Sequence, residues 1–147
     1  MEKLTVAIQK LRPDAIVPQL GSEYAAGADL YACIENDVEI LPGKTAFIST
    51  GIAAAIPAGY AGFVFARSGL ACKSGLAPAN KVGVIDADYR GEIMVALHNH
   101  SSESYIVTKE QRIAQKCIMP VPAVEYVLCE EINETVRGAG GFGSTGK

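Results

Sequence analysis

Tryptophan is absent from the 147 residues, histidine occurs only twice, and no two of the four cysteines are spaced as Cys-x-x-Cys. Cys33, Cys72, Cys117 and Cys129 are too scattered for a zinc knuckle or a dithiol redox centre, and free thiols of this kind are expected to be buried. Charge is also scarce, at 20% of residues, with a net charge of -3 and a pI near 5.4. That balance argues against a nucleic-acid partner, because phosphate backbones are gripped by clustered Lys and Arg. No run of about 18 apolar residues occurs, so no membrane span is expected. Residues Met1 to Lys10 alternate in polarity and lack the apolar stretch of a signal peptide, which points to a cytoplasmic protein. In that compartment the sequons at Asn99 and Asn133 are chance matches.

Long helices are missing too. Seven prolines and fifteen glycines interrupt the chain so often that no helical periodicity survives beyond about two or three turns. What remains is a series of short β-branched, aromatic or alternating segments: Thr5 to Ile8, Val38 to Leu41, Ala46 to Ser49, Phe63 to Phe65, Ile93 to Leu97, Tyr105 to Val107, Ile113 to Met119 and Glu125 to Leu128. This is an all-β pattern of the sandwich or jelly-roll kind. The hydrophobic share of 49% suffices for one core, and a single domain of this size buries roughly 70% of its unfolded surface. One short helix is expected after Arg67, with Ser68 as its cap and Gly75 as its stop.

Three stretches carry chemistry. Arg67-Ser68-Gly69 sets a guanidinium, a hydroxyl and a backbone N–H side by side, either to hold phosphate or as a surface arginine next to a helix cap. The run from Asn80 to Glu92 ends in an acidic turn, and Asp86, following Gly83-Val84-Ile85, is placed at the edge of the core where desolvation suits a general base. Asp88 reads as an ordinary turn residue, and His98 and His100 as strand-end residues with no third metal ligand nearby. The glycine-rich end, Gly138 to Lys147, matches both GxGxxG and GxxxxGK, yet each motif needs a strand before it and a helix after it. It reads instead as a flexible terminus, or as a closing flap with Phe142 to stack on a base and Arg137 to hold phosphate.

Taken in order, these segments resemble the five motifs of the trimeric dUTPase family. The first is Ala25-Ala26-Gly27-Ala28-Asp29-Leu30-Tyr31-Ala32, the second Ala66-Arg67-Ser68-Gly69-Leu70-Ala71, and the third Gly83 to Glu92 with Asn80 upstream. The fourth is Gln111-Arg112-Ile113-Ala114-Gln115 and the fifth runs from Arg137 to Gly146. The resemblance implies a distorted jelly roll of the β-clip type with one short helix, over residues 1–136, assembled as a homotrimer. Residues 137–147 would be an arm that closes an active site formed by the other two subunits.

It further implies hydrolysis of dUTP to dUMP and pyrophosphate, which keeps uracil out of DNA and supplies dUMP for thymidylate synthesis. By position, Asp86 would activate the attacking water and Tyr89 would pack on deoxyribose, leaving no room for a 2'-hydroxyl. Asn80, Gly83, Val84 and Ile85 would face uracil and sugar with Met94 beneath; Arg67, Ser68, Gly69 and Gln115 would hold phosphates. Asp29 would reach Mg2+ through water, Arg137 would bind the γ-phosphate, Phe142 would cover the base, and Gly143, Ser144 and Thr145 would line the phosphate chain. One departure is present: the family's fourth motif usually begins Gly-Asp, where this chain has Glu110-Gln111. The rival expectations are a dCTP deaminase-like enzyme, similar in fold and in its Arg-Ser region, and a non-catalytic nucleotide-binding trimer.

Overall fold

The computed structural model describes residues 3–143. Among them are twelve strands and one helix, and every strand pairing is antiparallel. The largest sheet joins β2 (Gln19–Leu20), β3 (Ala28–Tyr31), β12 (Arg112–Pro120), β7 (Tyr60–Phe65) and β9 (Gly83–Ile85), in that order. A three-stranded sheet places β10 (Met94–Asn99) between β5 (Thr45–Ser49) and β8 (Leu76–Pro78). Two strand pairs complete the fold: β1 (Ala7–Lys10) with β6 (Ile52–Ala55), and β4 (Val38–Ile40) with β11 (Tyr105–Val107). The expected all-β class with one short helix, α1 (Ser68–Ser74), is what forms.

Strand alternation builds the core. In β10, Val95, Leu97 and Asn99 point inward while Met94, Ala96 and His98 do not. Leu30, Ile40, Ile48, Ile52, Leu76, Val107 and Ile113 join them in one hydrophobic cluster. Asn99 is tolerated there because its amide is fully engaged. Its Nδ2 donates to the carbonyls of Ile40 (2.8 Å) and Glu103 (2.7 Å), and its Oδ1 accepts from the backbone N–H and hydroxyl of Ser101. Such burial also removes the Asn99 sequon from the surface.

Several expectations need correction. Glu125 to Leu128 is not a strand: residues 121–139 are exposed throughout, and the alternating apolar side chains there meet no sheet edge among the described residues. The helix cap is Arg67, in extended conformation, rather than Ser68, which is the first helical residue; Gly75, left-handed at φ 69, ends the helix as expected. Of the cysteines only Cys33 is buried, Cys117 is half-buried, and Cys72 and Cys129 are exposed. Burial pushes the Cys33 thiol up, and its neighbour Asp14 is held down at about 2, chiefly by a 2.9 Å contact with Lys109.

The departure at Glu110-Gln111 has a visible accommodation. Glu110 takes the left-handed backbone conformation (φ 61) that suits glycine, while Gln111 uses both ends of its amide. Its Oε1 accepts the Thr108 N–H at 3.0 Å and its Nε2 donates to the Tyr105 hydroxyl at 2.7 Å, so a neutral side chain closes the turn before β12 without an ion pair.

Lys116 is the one anomaly of the interior. It points inward from β12 at 5% exposure, and its Nζ has no hydrogen-bond partner among the described residues. Burial lowers its pKa below 10.5. Between that lowered value and 10.5 the unfolded chain carries more protons than the native one, so the stability contributed at this site rises with pH across that interval. Lys116→Met is expected to stabilise the subunit by about 1–3 kcal/mol, the cost of an unsatisfied buried polar group, and to flatten this part of the pH profile. Denaturant titrations at pH 7 and pH 9.5 check both effects.

Candidate active site

Two separate concave sites, with no lining residue in common, collect nearly all of the expected site residues found in the folded body. The first, about 270 Å3, opens between the edge strand β9 and the sheet containing β5 and β10. Asn80, Gly83, Val84, Ile85, Asp86, Tyr89 and Met94 all line it. Gly83 matters sterically, because a Cβ there would press to 3.3 Å on both the Asn80 amide nitrogen and the Val64 side chain. Asp86 follows the last residue of β9 and is exposed rather than at the edge of the core as expected. An edge strand leaves the residue beyond its end open on one side.

Two carboxylates line this cavity, and their circumstances differ. Glu92 accepts hydrogen bonds from the Ser49 hydroxyl and, at 2.8 Å, from the Gly51 N–H. Both bonds fall on Oε1 and tie Glu92 to the turn after β5, whereas Asp86 is exposed and its carboxylate makes no hydrogen bond among the described residues, which makes it the carboxylate more open to a water molecule. Asp88 does not line the cavity.

The second site, about 240 Å3, spans β3, β12 and the start of α1. Sheet register explains it: Gln115 of β12 lies opposite Asp29 of β3 on one side and Phe65 of β7 on the other, and β7 runs directly on to Arg67, Ser68 and Gly69. Arg67 donates from Nε to Asp29 at 2.8 Å, and Arg112 Nη1 lies 3.4 Å from the other Asp29 oxygen. Gln115 donates to the Ala66 carbonyl at 2.9 Å. Gly27 makes room for it, since a Cβ would come within 2.6 Å of Gln115 Oε1. Ser68 and Gly69 are exposed in the first turn of α1, where backbone N–H groups lack helical acceptors. Two guanidiniums, a hydroxyl, an amide and free N–H groups make an anion site.

A model of the dUTPase family matches residues 13–146. A deoxyuridine 5'-triphosphate nucleotidohydrolase of Desulfitobacterium hafniense is 50% identical over 149 residues, covering 99% of both chains. The chain belongs to the dUTPase family. Among solved structures, a variant dUTPase of Staphylococcus bacteriophage 80alpha with dUpNHpp superposes with a TM-score of 0.90 at 28% identity, covering 99% of this chain and 100% of its own. A variant dUTPase from phage phi11 of S. aureus, described with a structural Mg(II) ion, gives a TM-score of 0.79 at 25% identity, covering 87% and 98%.

For a dUTPase the site also contains residues that sequence reasoning passed over. Phe47 lines the first cavity from β5 at 73% exposure, and an aromatic on the outward face of an amphipathic strand was the available signal. Arg112, the second guanidinium on Asp29, gave none, because only the β12–β3 register reveals its partner. The fifth motif stands apart from both cavities. Arg137 is exposed and donates to the Gly140 carbonyl at 2.9 Å, Phe142 is fully exposed, and Gly143 is left-handed at φ 91. Among the described residues no strand runs directly into these glycines and no helix follows them. Ser144 and Thr145 lie outside the described residues. His98 and His100 are stacked edge to face at 4.4 Å, with desolvation lowering the His100 pKa, and no group of three metal-ligating side chains exists among the described residues. No helix there is long and apolar enough to cross a membrane.

Proposed function

We propose that this dUTPase hydrolyses dUTP to dUMP and pyrophosphate through Asp86, with three composite sites in a homotrimer acting in the cytoplasm. The observation that carries the reading is the division of the site residues into two cavities on one chain: one lined by Asp86 and Tyr89, the other by Arg67, Ser68, Gly69 and Gln115. In this reading the nucleoside cavity of one subunit is completed by the anion cavity of a neighbour. Head-to-tail contacts of that kind can close into a symmetric ring, and a ring of three is the assembly that membership of the trimeric family implies.

In that site Asn80, Gly83, Val84 and Ile85 face the uracil and sugar, with Met94 beneath, and Tyr89 packs on the deoxyribose. Asp86 takes a proton from water, whose oxygen forms a bond to the α-phosphorus as the bond from that phosphorus to the bridging oxygen breaks and pyrophosphate leaves. Arg67 and Gln115, with the N–H groups of Ser68 and Gly69, offset the charge that develops on the leaving group. The arm of residues 137–147 closes over the third side, Phe142 on the base and Arg137 on the γ-phosphate, with Gly143, Ser144 and Thr145 along the phosphates.

The donor set suits Mg2+ held mainly by substrate phosphates. Asp29 is a single carboxylate, largely buried beside the anion cavity and already shared by two guanidiniums, which fits outer-sphere contact through water better than a protein cage. When bound there, the ion supplies charge neutralisation to the triphosphate. By this activity the enzyme would keep uracil out of DNA and provide dUMP for thymidylate synthesis.

Pyrophosphate release from dUTP, dTTP, dCTP and UTP, with magnesium or with a chelator, tests the reading. Chelator-sensitive release from dUTP alone is the expected result. Equal release from all four would make this a generic nucleotidase; ammonia from dCTP without pyrophosphate would make it a deaminase; no turnover would leave a binding module.

A further inference from the structure

Tyr89 owes its place to two neighbours that carry no assigned role. Its hydroxyl donates to the Glu92 carbonyl at 2.9 Å, so the ring folds back across residue 91. At Gly91 a Cβ would lie 2.6 Å from the ring Cζ and 2.9 Å from Cε2, with the hydroxyl oxygen closer still. The Gly91 backbone is not left-handed, and the three atoms nearest to such a Cβ all belong to this side chain. Tyr89 is also 46% exposed and free to swing away. A side chain at residue 91 would therefore be relieved by moving the tyrosine rather than by disturbing the fold.

The acceptor that Tyr89 uses is itself anchored. The Glu92 carboxylate receives the Ser49 hydroxyl and the Gly51 N–H, the Thr50 hydroxyl donates to the Ile93 carbonyl at 2.5 Å, and the Ile93 N–H donates to the Ile52 carbonyl at 2.9 Å. These bonds fasten the segment carrying Asp86 and Tyr89 to the tight connection between β5 and β6. We infer that Gly91 and Glu92 are positioning residues: Gly91 seats the Tyr89 ring by leaving it space, Glu92 fixes the carbonyl that holds it, and together they set selection of 2'-deoxy over ribo substrates. This rests on the reading above in which Tyr89 packs on the deoxyribose.

The test is the ratio of kcat/KM for dUTP to that for UTP in wild type, Tyr89→Ala, Gly91→Ala, Glu92→Ala, Glu92→Gln and the Tyr89→Ala/Gly91→Ala double variant, with thermal melts alongside. Gly91→Ala is expected to melt with the wild type yet lower the ratio at least tenfold, and to change nothing further on the Tyr89→Ala background. Glu92→Ala should follow Gly91→Ala. Glu92→Gln should restore the ratio, because its amide oxygen can accept both hydrogen bonds; a purely acidic role would not be rescued. If Tyr89→Ala collapses the ratio while Gly91→Ala and Glu92→Ala keep it, the positioning inference is overturned. If Tyr89→Ala itself leaves the ratio intact, the sugar-facing reading of Tyr89 fails and takes the inference with it.

Discussion

Asp86→Asn is expected to abolish dUTP turnover, by a factor on the order of 10²–10⁴ or more, while leaving binding of a non-hydrolysable imido analogue of dUTP within a few-fold of wild type. Asparagine has the same shape and keeps the cavity's contours, but its amide cannot take a proton from water. Glu92, the other acid lining the cavity, is held through its Oε1 by Ser49 and Gly51 on the turn after β5 and is not expected to take over the role. Single-turnover kinetics with equilibrium titration of the analogue separate the two effects. Turnover retained in the variant would place the base elsewhere; lost binding with lost turnover would make Asp86 a structural or substrate-orienting residue.

Deletion of Gly138 to Lys147 is expected to leave a folded trimer that has lost roughly a hundredfold or more in kcat/KM for dUTP, as alignment of the triphosphate is relaxed. Folding should survive because residues 138 and 139 are exposed and the bonds made here are local, Gly138 N–H to the Thr135 carbonyl and Gly140 N–H to the Arg137 carbonyl. The melting temperature should move by no more than surface changes usually cause, about 0.5 kcal/mol in equivalent stability. Sedimentation and a thermal melt check the assembly, and steady-state kinetics the activity. An unfolded or monomeric product would make the arm part of the scaffold. Phe142 is fully exposed among the described residues, which is the state expected of a ring whose partner is a base in a neighbouring site.

Legibility varied with how local the governing interaction is. Val38–Ile40, Thr45–Ser49, Met94–Asn99, Tyr105–Val107 and Arg112–Pro120 were readable because β-branched and aromatic residues alternate within each segment. Ile52–Ala55 was not, since three of its four residues are alanines with little strand preference, and it forms because β1 offers an edge. Glu125 to Leu128 shows the converse: a strand-like pattern that finds no strand partner among the described residues stays irregular and exposed. At Ser68 the expected cap gave way to Arg67 because β7 delivers the chain already extended into the helix start.

The order of the five motifs, the carboxylate at Asp86, the Arg67-Ser68-Gly69 trio and the poverty of long helical segments were determined by the sequence alone, because each depends on residue identity and near-neighbour spacing. Only the tertiary structure decided that Asp29 faces two guanidiniums, that Lys116 lies in the core without a partner among the described residues, that Gly91 is space for Tyr89, and that the residues expected to face the nucleoside and those expected to hold phosphate line different cavities. Those outcomes depend on strand register and on contacts between segments far apart in the chain, and local propensity carries no information about either.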